Sequence, residues 1–394
     1  MVRGLARGGA ALIVTLSVAA SPPARAAVDF RDLAEMVALS EVALDPDGRR
    51  VVFTGEQADL PANERRSRIW YFDPGGPRLR ERIGSLLGVG GEVEPPDARP
   101  LTSVDFDASS PRFTPDGRAV SFLSTRGESA AVQVWVLPLD GGEPEARTAA
   151  PEGVAQYAWA PDGSLVYLAE EPHPPGIAAH REARAAAGGD ERVVDRDRRD
   201  WSFWRIGPQG GDARRVHRAD PGVTEFALSF DGKRIAFASN RTGHPKDWKK
   251  ADLWAVDVDT GRLARLTERL GDDWSPRWSG DGSRVFFLSC IDTTRSYSQI
   301  AVWSVPSDGG EITLESGALD RDVIELVTCE DADRVYVTVA DGTNEQLWRI
   351  VGGSRRAERL VADAGKASGL AVKSNGELAA FVRESPSAAP EIAT

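Results

Sequence analysis

Histidine, cysteine and surplus positive charge are all scarce in this chain of 394 residues, and each scarcity weakens a class of function. The four histidines (His173, His180, His217 and His244) share no paired spacing and read as loop or insertion residues, so none is assigned to a metal or to base catalysis. A serine nucleophile of the hydrolase type needs Gly-x-Ser-x-Gly on a strained turn, and no stretch supplies it. The nearest approaches, Gly127-Glu-Ser129-Ala-Ala131 and Gly352-Gly-Ser354-Arg-Arg356, lack the final glycine. Asp257-Val-Asp259-Thr-Gly261 opens like a calcium loop but lacks the later ligands and the closing Glu, so it reads as a hairpin turn. A formal net charge of −12 disfavours a nucleic-acid binder, which needs a basic stripe, and gives no hold on an anionic membrane. No residue is assigned a catalytic, metal-binding or cofactor-binding role, no cofactor is expected, and substrate-binding residues stay unassigned.

Long apolar runs are also lacking. Ala10 to Ala20 is apolar but too short to span a bilayer. Arg3 and Arg7 precede it, and Ala24-Arg25-Ala26 follows as a small-x-small cleavage site, so residues 1–26 read as a signal peptide. Neither a twin-Arg motif nor a lipobox cysteine is present. The expectation is an exported protein, periplasmic or secreted, that begins near Ala27 and has no membrane contact after cleavage.

What the chain does have is repetition. An apolar strand, a turn of the type x-Pro-Asp-Gly and a second apolar strand recur as VALDPDGRRVVFT at Val42, SPRFTPDGRAVSFLS at Ser110 and YAWAPDGSLVYLA at Tyr157. They return as FALSFDGKRIAFAS at Phe226 and SPRWSGDGSRVFFLS at Ser275, then degenerate at Leu326 and Leu370. Asp-Gly and Asn-Gly tolerate the positive φ of a tight hairpin, so each copy is an antiparallel pair. A tryptophan strand follows, centred on Trp70, Trp135, Trp204, Trp254, Trp303 and Trp348, then a Gly-rich hairpin and a fourth strand. Four strands at this period make a propeller blade, whose apolar faces must pack on neighbouring blades. The chain is therefore read as all-β, a seven-bladed β-propeller of four-stranded antiparallel blades over residues 27–394. The blades fall at about 36–105, 106–150, 151–220, 221–270, 271–320, 321–365 and 366–394. The last is incomplete, with Ala393 where the repeated Trp would fall.

Two blades carry insertions, at about Arg78 to Pro100 and from Pro172 to Asp200, where Ile177 to Ala187 is Ala-rich and suits a short helix. Glu170-Glu171 at the mouth of the second insertion reads as surface charge. An exported protein with two cysteines invites a disulfide. Yet Cys290 ends the second strand of blade 5 and Cys329 the first strand of blade 6, which places them on opposite faces of the disc, roughly 15–20 Å apart. A disulfide spans at most about 7 Å between Cα atoms, so two unpaired thiols are expected.

LSEVALDPDGRRVVFT, the SRIWYFD after it, SSPRFTPDGRAVSFLSTRG and the terminal FVRESPSAAPEI resemble the propeller of prolyl oligopeptidase family serine peptidases, above all the bacterial acylaminoacyl-peptidase and dipeptidyl-peptidase members. The resemblance implies a non-catalytic propeller that gates peptide substrates for an α/β-hydrolase domain bearing a Ser-Asp-His triad, a domain absent from this chain. It implies a chain inactive alone, a fragment of a larger enzyme, with peptides reaching it as substrates of the missing domain. In dipeptidyl-type members a propeller Glu pair holds the substrate amine; Glu170-Glu171 lacks the aromatic context of that motif. The competing reading is a stand-alone, TolB-like envelope propeller that scaffolds other proteins.

Overall fold

The computed structural model describes residues 37–394 apart from 74–97, 128–130, 187–198, 270, 296–297, 353–355, 362–363 and 387. The expected leader, most of the first insertion, Ser129 and Ser354 lie outside the described residues. Seven antiparallel sheets follow one another, four strands in each of the first six and three in the last, with consecutive strands adjacent. They span 38–100, 108–146, 156–219, 223–265, 273–314, 323–359 and 366–393. First strands of neighbouring blades pack on one another, so they line the axis of the ring.

The turn between first and second strands shows why the sequence repeats. Gly48, Gly117, Gly163, Gly232, Gly282 and Gly376 all adopt φ between +67° and +81°. Only glycine takes that conformation without steric cost. The aspartate before the glycine locks the turn. Asp116 accepts from Thr114 Oγ1 at 2.7 Å and from the Arg118 amide at 3.1 Å, and these bonds hold its carboxyl below the usual range.

The tryptophan column keeps one register. Phe53 faces Trp70, Phe122 faces Trp135, Tyr167 faces Trp204, Phe237 faces Trp254, Phe287 faces Trp303 and Val337 faces Trp348. In blade 7 Phe381 faces Ala393, so alanine occupies the Trp position. Pro390 sits in the third strand of that blade, next to a register shift. A residue without an N–H is tolerated at such a bulge.

The core is distributed. Seven apolar clusters each join two consecutive blades, as when Phe203 of blade 3 meets Phe226 and Phe237 of blade 4. The ring closes where Leu39, Val42 and Phe53 of blade 1 pack on Ala380, Val382 and Ile392 of blade 7. Closure rests on that apolar burial, since no described strand is shared between the two sheets.

Candidate functional site

The residues singled out in the sequence are mostly scattered and satisfied. Glu170 is ion-paired with Arg199, and Glu171 lies 3.3 Å from Arg215 and accepts from Ser202, so the pair is held by its own arginines. Asp257 caps a plain turn, accepting from the Thr260 amide at 2.8 Å and hydroxyl at 2.7 Å, while Asp259 pairs with Arg205 at 3.0 Å. His244 caps a short 3-10 helix, Pro245–Lys250, by accepting the Lys246 amide at 3.0 Å. His173 lies in the loop before the helix Pro175–Ala186, which bears out the Ala-rich segment. His180 is on that helix, its side chain outside the described ones. His217 corrects the loop assignment. It sits in a strand, Arg214–Ala219, opposite Phe203, and burial lowers its pKa. A polar run such as RRVHRA hides a strand because its fellow strand, not its own alternation, holds it in place. Both cysteines are free, as their strand positions required. No group of three or more potential metal ligands occurs among the described residues.

Sequence reading missed a ring of polar residues around the axis. At one register of the first strand, seven residues before the turn glycine, stand Glu41, Ser110, Gln156, Glu225 and Ser275, with Glu325 equivalent in blade 6 and Gly369 interrupting the set in blade 7. Glu41 accepts the Ser110 amide at 2.7 Å, and Glu225 accepts the Ser275 amide at 2.6 Å. Gln156 exchanges two hydrogen bonds with the Phe226 backbone, at 2.9 and 2.8 Å, and Glu325 accepts the Leu370 amide at 3.2 Å. Bulged strands free these amides: Glu41, Ser110 and Ser275 take φ of 51°, 53° and 54° at register shifts. The constant offset from Asp-Gly was the signal that could have revealed them.

A cavity of about 900 Å³ opens on the face that carries the loops between second and third strands, over blades 4 to 6. Trp274 and Ile300 supply apolar wall, while Asp272, Cys290, Arg295 and Arg321 supply polar wall. Gln299 Nε2 braces the blade 5–6 connector by donating to Leu319 O at 2.7 Å and to Arg321 O at 2.8 Å. Asp272 is pushed up to about 7 by burial and by the neighbouring charges of Asp273 and Glu225. Burial and the Asp272 charge together push the Cys290 thiol up.

That carboxyl makes stability depend on pH. Its folded pKa of about 7 stands above the unfolded value, so its favourable contribution is complete below about pH 4 and is lost as the pH climbs through 7. Asp272→Asn is expected to raise the melting temperature by about 2–4 °C at pH 8, and by less at pH 5. Thermal unfolding followed by circular dichroism checks this; an equal gain at both pH values contradicts it.

No protein-family model matches the chain. The uncharacterized peptidase YuxL of Bacillus subtilis is 24% identical over 269 residues, which are 68% of this chain and 32% of that protein. Dipeptidyl-peptidase 5 of Porphyromonas endodontalis is 23% identical over 281 residues, 65% of this chain and 38% of that one. The chain thus spans about a third of the length of the curated relatives it matches. Among solved structures, the open-velcro β-propeller domain of the Trilobed protease from Pyrococcus furiosus superposes with a TM-score of 0.60 at 17% identity, covering 91% of this chain and 93% of that one. Acylaminoacyl peptidase of Pyrococcus horikoshii gives 0.63 at 16% identity, covering 91% of this chain but 51% of the peptidase. The structural neighbours of this chain thus include β-propeller domains of prolyl oligopeptidase family peptidases, beside oligogalacturonate lyases of the same fold, and its curated sequence relatives include dipeptidyl-peptidase 5 proteins and a further peptidase.

Proposed function

We propose that this propeller screens peptides for an α/β-hydrolase domain of an exported serine peptidase, and that catalysis belongs to that domain. The observation that carries the reading is the asymmetry of the matches. Peptidases cover about two thirds of this chain, while the chain covers about a third of them. A ring of seven blades leaves an axial passage lined by first strands, and its polar girdle from Glu41 to Glu325 is cross-bonded between blades. Such a passage admits narrow, extended chains and turns away folded proteins, because widening it requires breaking inter-blade hydrogen bonds and apolar clusters together.

The chain alone is expected to leave chromogenic peptides intact and to take up no serine-directed phosphonate. The coding sequence immediately downstream is expected to hold Gly-x-Ser-x-Gly within about 150 residues. Phosphonate labelling of the purified chain overturns the reading. So does a downstream region without that motif, which favours the scaffold instead.

A further inference from the structure

The cavity over blades 4 to 6 is lined by both signs of charge, Lys249 among them, and one of its acids stands apart. Its arginines are matched: Arg295 pairs with Asp292 at 3.0 Å, Arg321 with Asp341 at 3.1 Å, and Arg269, behind the wall, with Asp273 at 3.0 Å. The Asp322 carboxylate accepts the Ile300 amide at 2.8 Å. Asp272 has no ion pair and no side-chain hydrogen bond among the described residues, although it is partly buried. The charges acting on it come from Asp273 and Glu225, and both are negative. Behind it, Asp273 is fully buried and its Oδ2 finds no hydrogen-bond partner among the described residues. A carboxylate in this setting is stabilised by a cation that arrives with its own hydrogen-bond donors.

The wall says which kind of cation. Trp274 and Ile300 line the same cavity, and its volume of about 900 Å³ exceeds what a bare ion needs. An ammonium or guanidinium on a methylene stem matches both parts, since the stem covers apolar wall while the head reaches the acid. An α-ammonium stands directly on the backbone and lacks that reach.

We propose that this cavity binds the basic side chain of a peptide, lysine or arginine, with the cation paired to Asp272 and the stem laid along Trp274 and Ile300. The proposal deepens the peptide-screening reading and rests on it only for the peptide as carrier. Binding weakens as the pH falls through 7, where Asp272 takes up a proton. The groups that share this surrounding are the cations Lys249, Arg269, Arg295 and Arg321, the acids Asp273, Glu225, Asp320 and Asp322, and the Cys290 thiol.

Cys290 offers a reporter, because it lines the cavity whereas Cys329 is buried between blades 6 and 7. The full chain is alkylated with a maleimide in the presence of Nα-acetyl-lysine amide, Nα-acetyl-arginine amide or Nα-acetyl-norleucine amide, and each cysteine is followed by mass spectrometry. Both basic amides are expected to slow alkylation of Cys290 and to leave Cys329 unchanged. Asp272→Asn is expected to weaken that protection about tenfold in ligand concentration. Equal protection by the norleucine amide, or full protection in Asp272→Asn, overturns the proposal. So does equal protection by norleucine amide with a free α-amine. No hydrolysis is read, so a negative result leaves the peptidase reading standing, and loss of that reading leaves this binding measurable.

Discussion

Gly280→Ala is expected to destabilise the ring by about 3 kcal/mol or more, which lowers the melting temperature by about 6 °C. A Cβ at Gly280 falls 1.8 Å from the Glu330 carbonyl oxygen and 2.1 Å from its carbon. Those atoms are backbone at the turn of blade 6, so relief requires moving one blade against the next. The repeat itself suggests the opposite. At this turn position blades 1 to 3 carry Pro46, Pro115 and Pro161, and a proline that suits the local φ ordinarily stabilises by restricting the unfolded chain. Restoring the repeat with Gly280→Pro is therefore expected to damage the protein at least as much as alanine. Thermal denaturation of both variants checks the pair; a melting temperature within about 1 °C of the parent for either one contradicts the inter-blade clash.

Trp278→Ala is expected to cost about 3–5 kcal/mol, since a fully buried large side chain is removed from a close-packed site. Trp278 is 1% exposed and packs between blades 4 and 5 with Ala236, Leu253, Phe287 and Val305. Its Nε1 donates to the Ala227 carbonyl at 3.1 Å, and the Arg234 guanidinium lies 4.5 Å from the ring centroid. Trp278→Phe keeps most of the volume but loses the hydrogen bond, so it is expected to cost about 1–2 kcal/mol. Urea unfolding of the two variants separates these contributions. If alanine and phenylalanine cost the same, packing is not what Trp278 supplies.

Trp278 also marks a boundary of what repetition reveals. The column of six tryptophans from Trp70 to Trp348 was the loudest signal in the sequence, and the structure places all six in one register. Of that column only Trp254, at 7%, is buried; the other members are partly buried. Trp278 belongs to a different position, at the end of a first strand, and is buried more deeply than any of them. Periodicity reports where a residue stands within its blade. Depth depends also on what the next blade presents.

The candidate cavity was illegible for a similar reason. Asp272 ends an ordinary connector just before the strand that Asp273 opens, and nothing local distinguishes it from other acidic turns. Its isolation arises because Arg269 is held by Asp273 and because Glu225, from the preceding blade, approaches from the axis. The reverse held for Glu170 and Glu171, conspicuous in the sequence, which folding supplies with Arg199 and Arg215.

Local chemistry therefore determined the blade. Asp-Gly sets the turn because glycine alone takes positive φ freely, alternation sets the buried faces, and the count of strands places even Ala393 opposite Phe381. Strand direction alone sufficed to keep Cys290 and Cys329 apart. Only the closed ring decided which polar groups meet across blades. Glu225 and Ser275 are 50 residues apart and Glu41 and Ser110 are 69 apart, yet each pair bonds directly. Hydrogen bonds and charges respond to separations of a few ångströms, whereas sequence spacing carries that information only within one strand or turn.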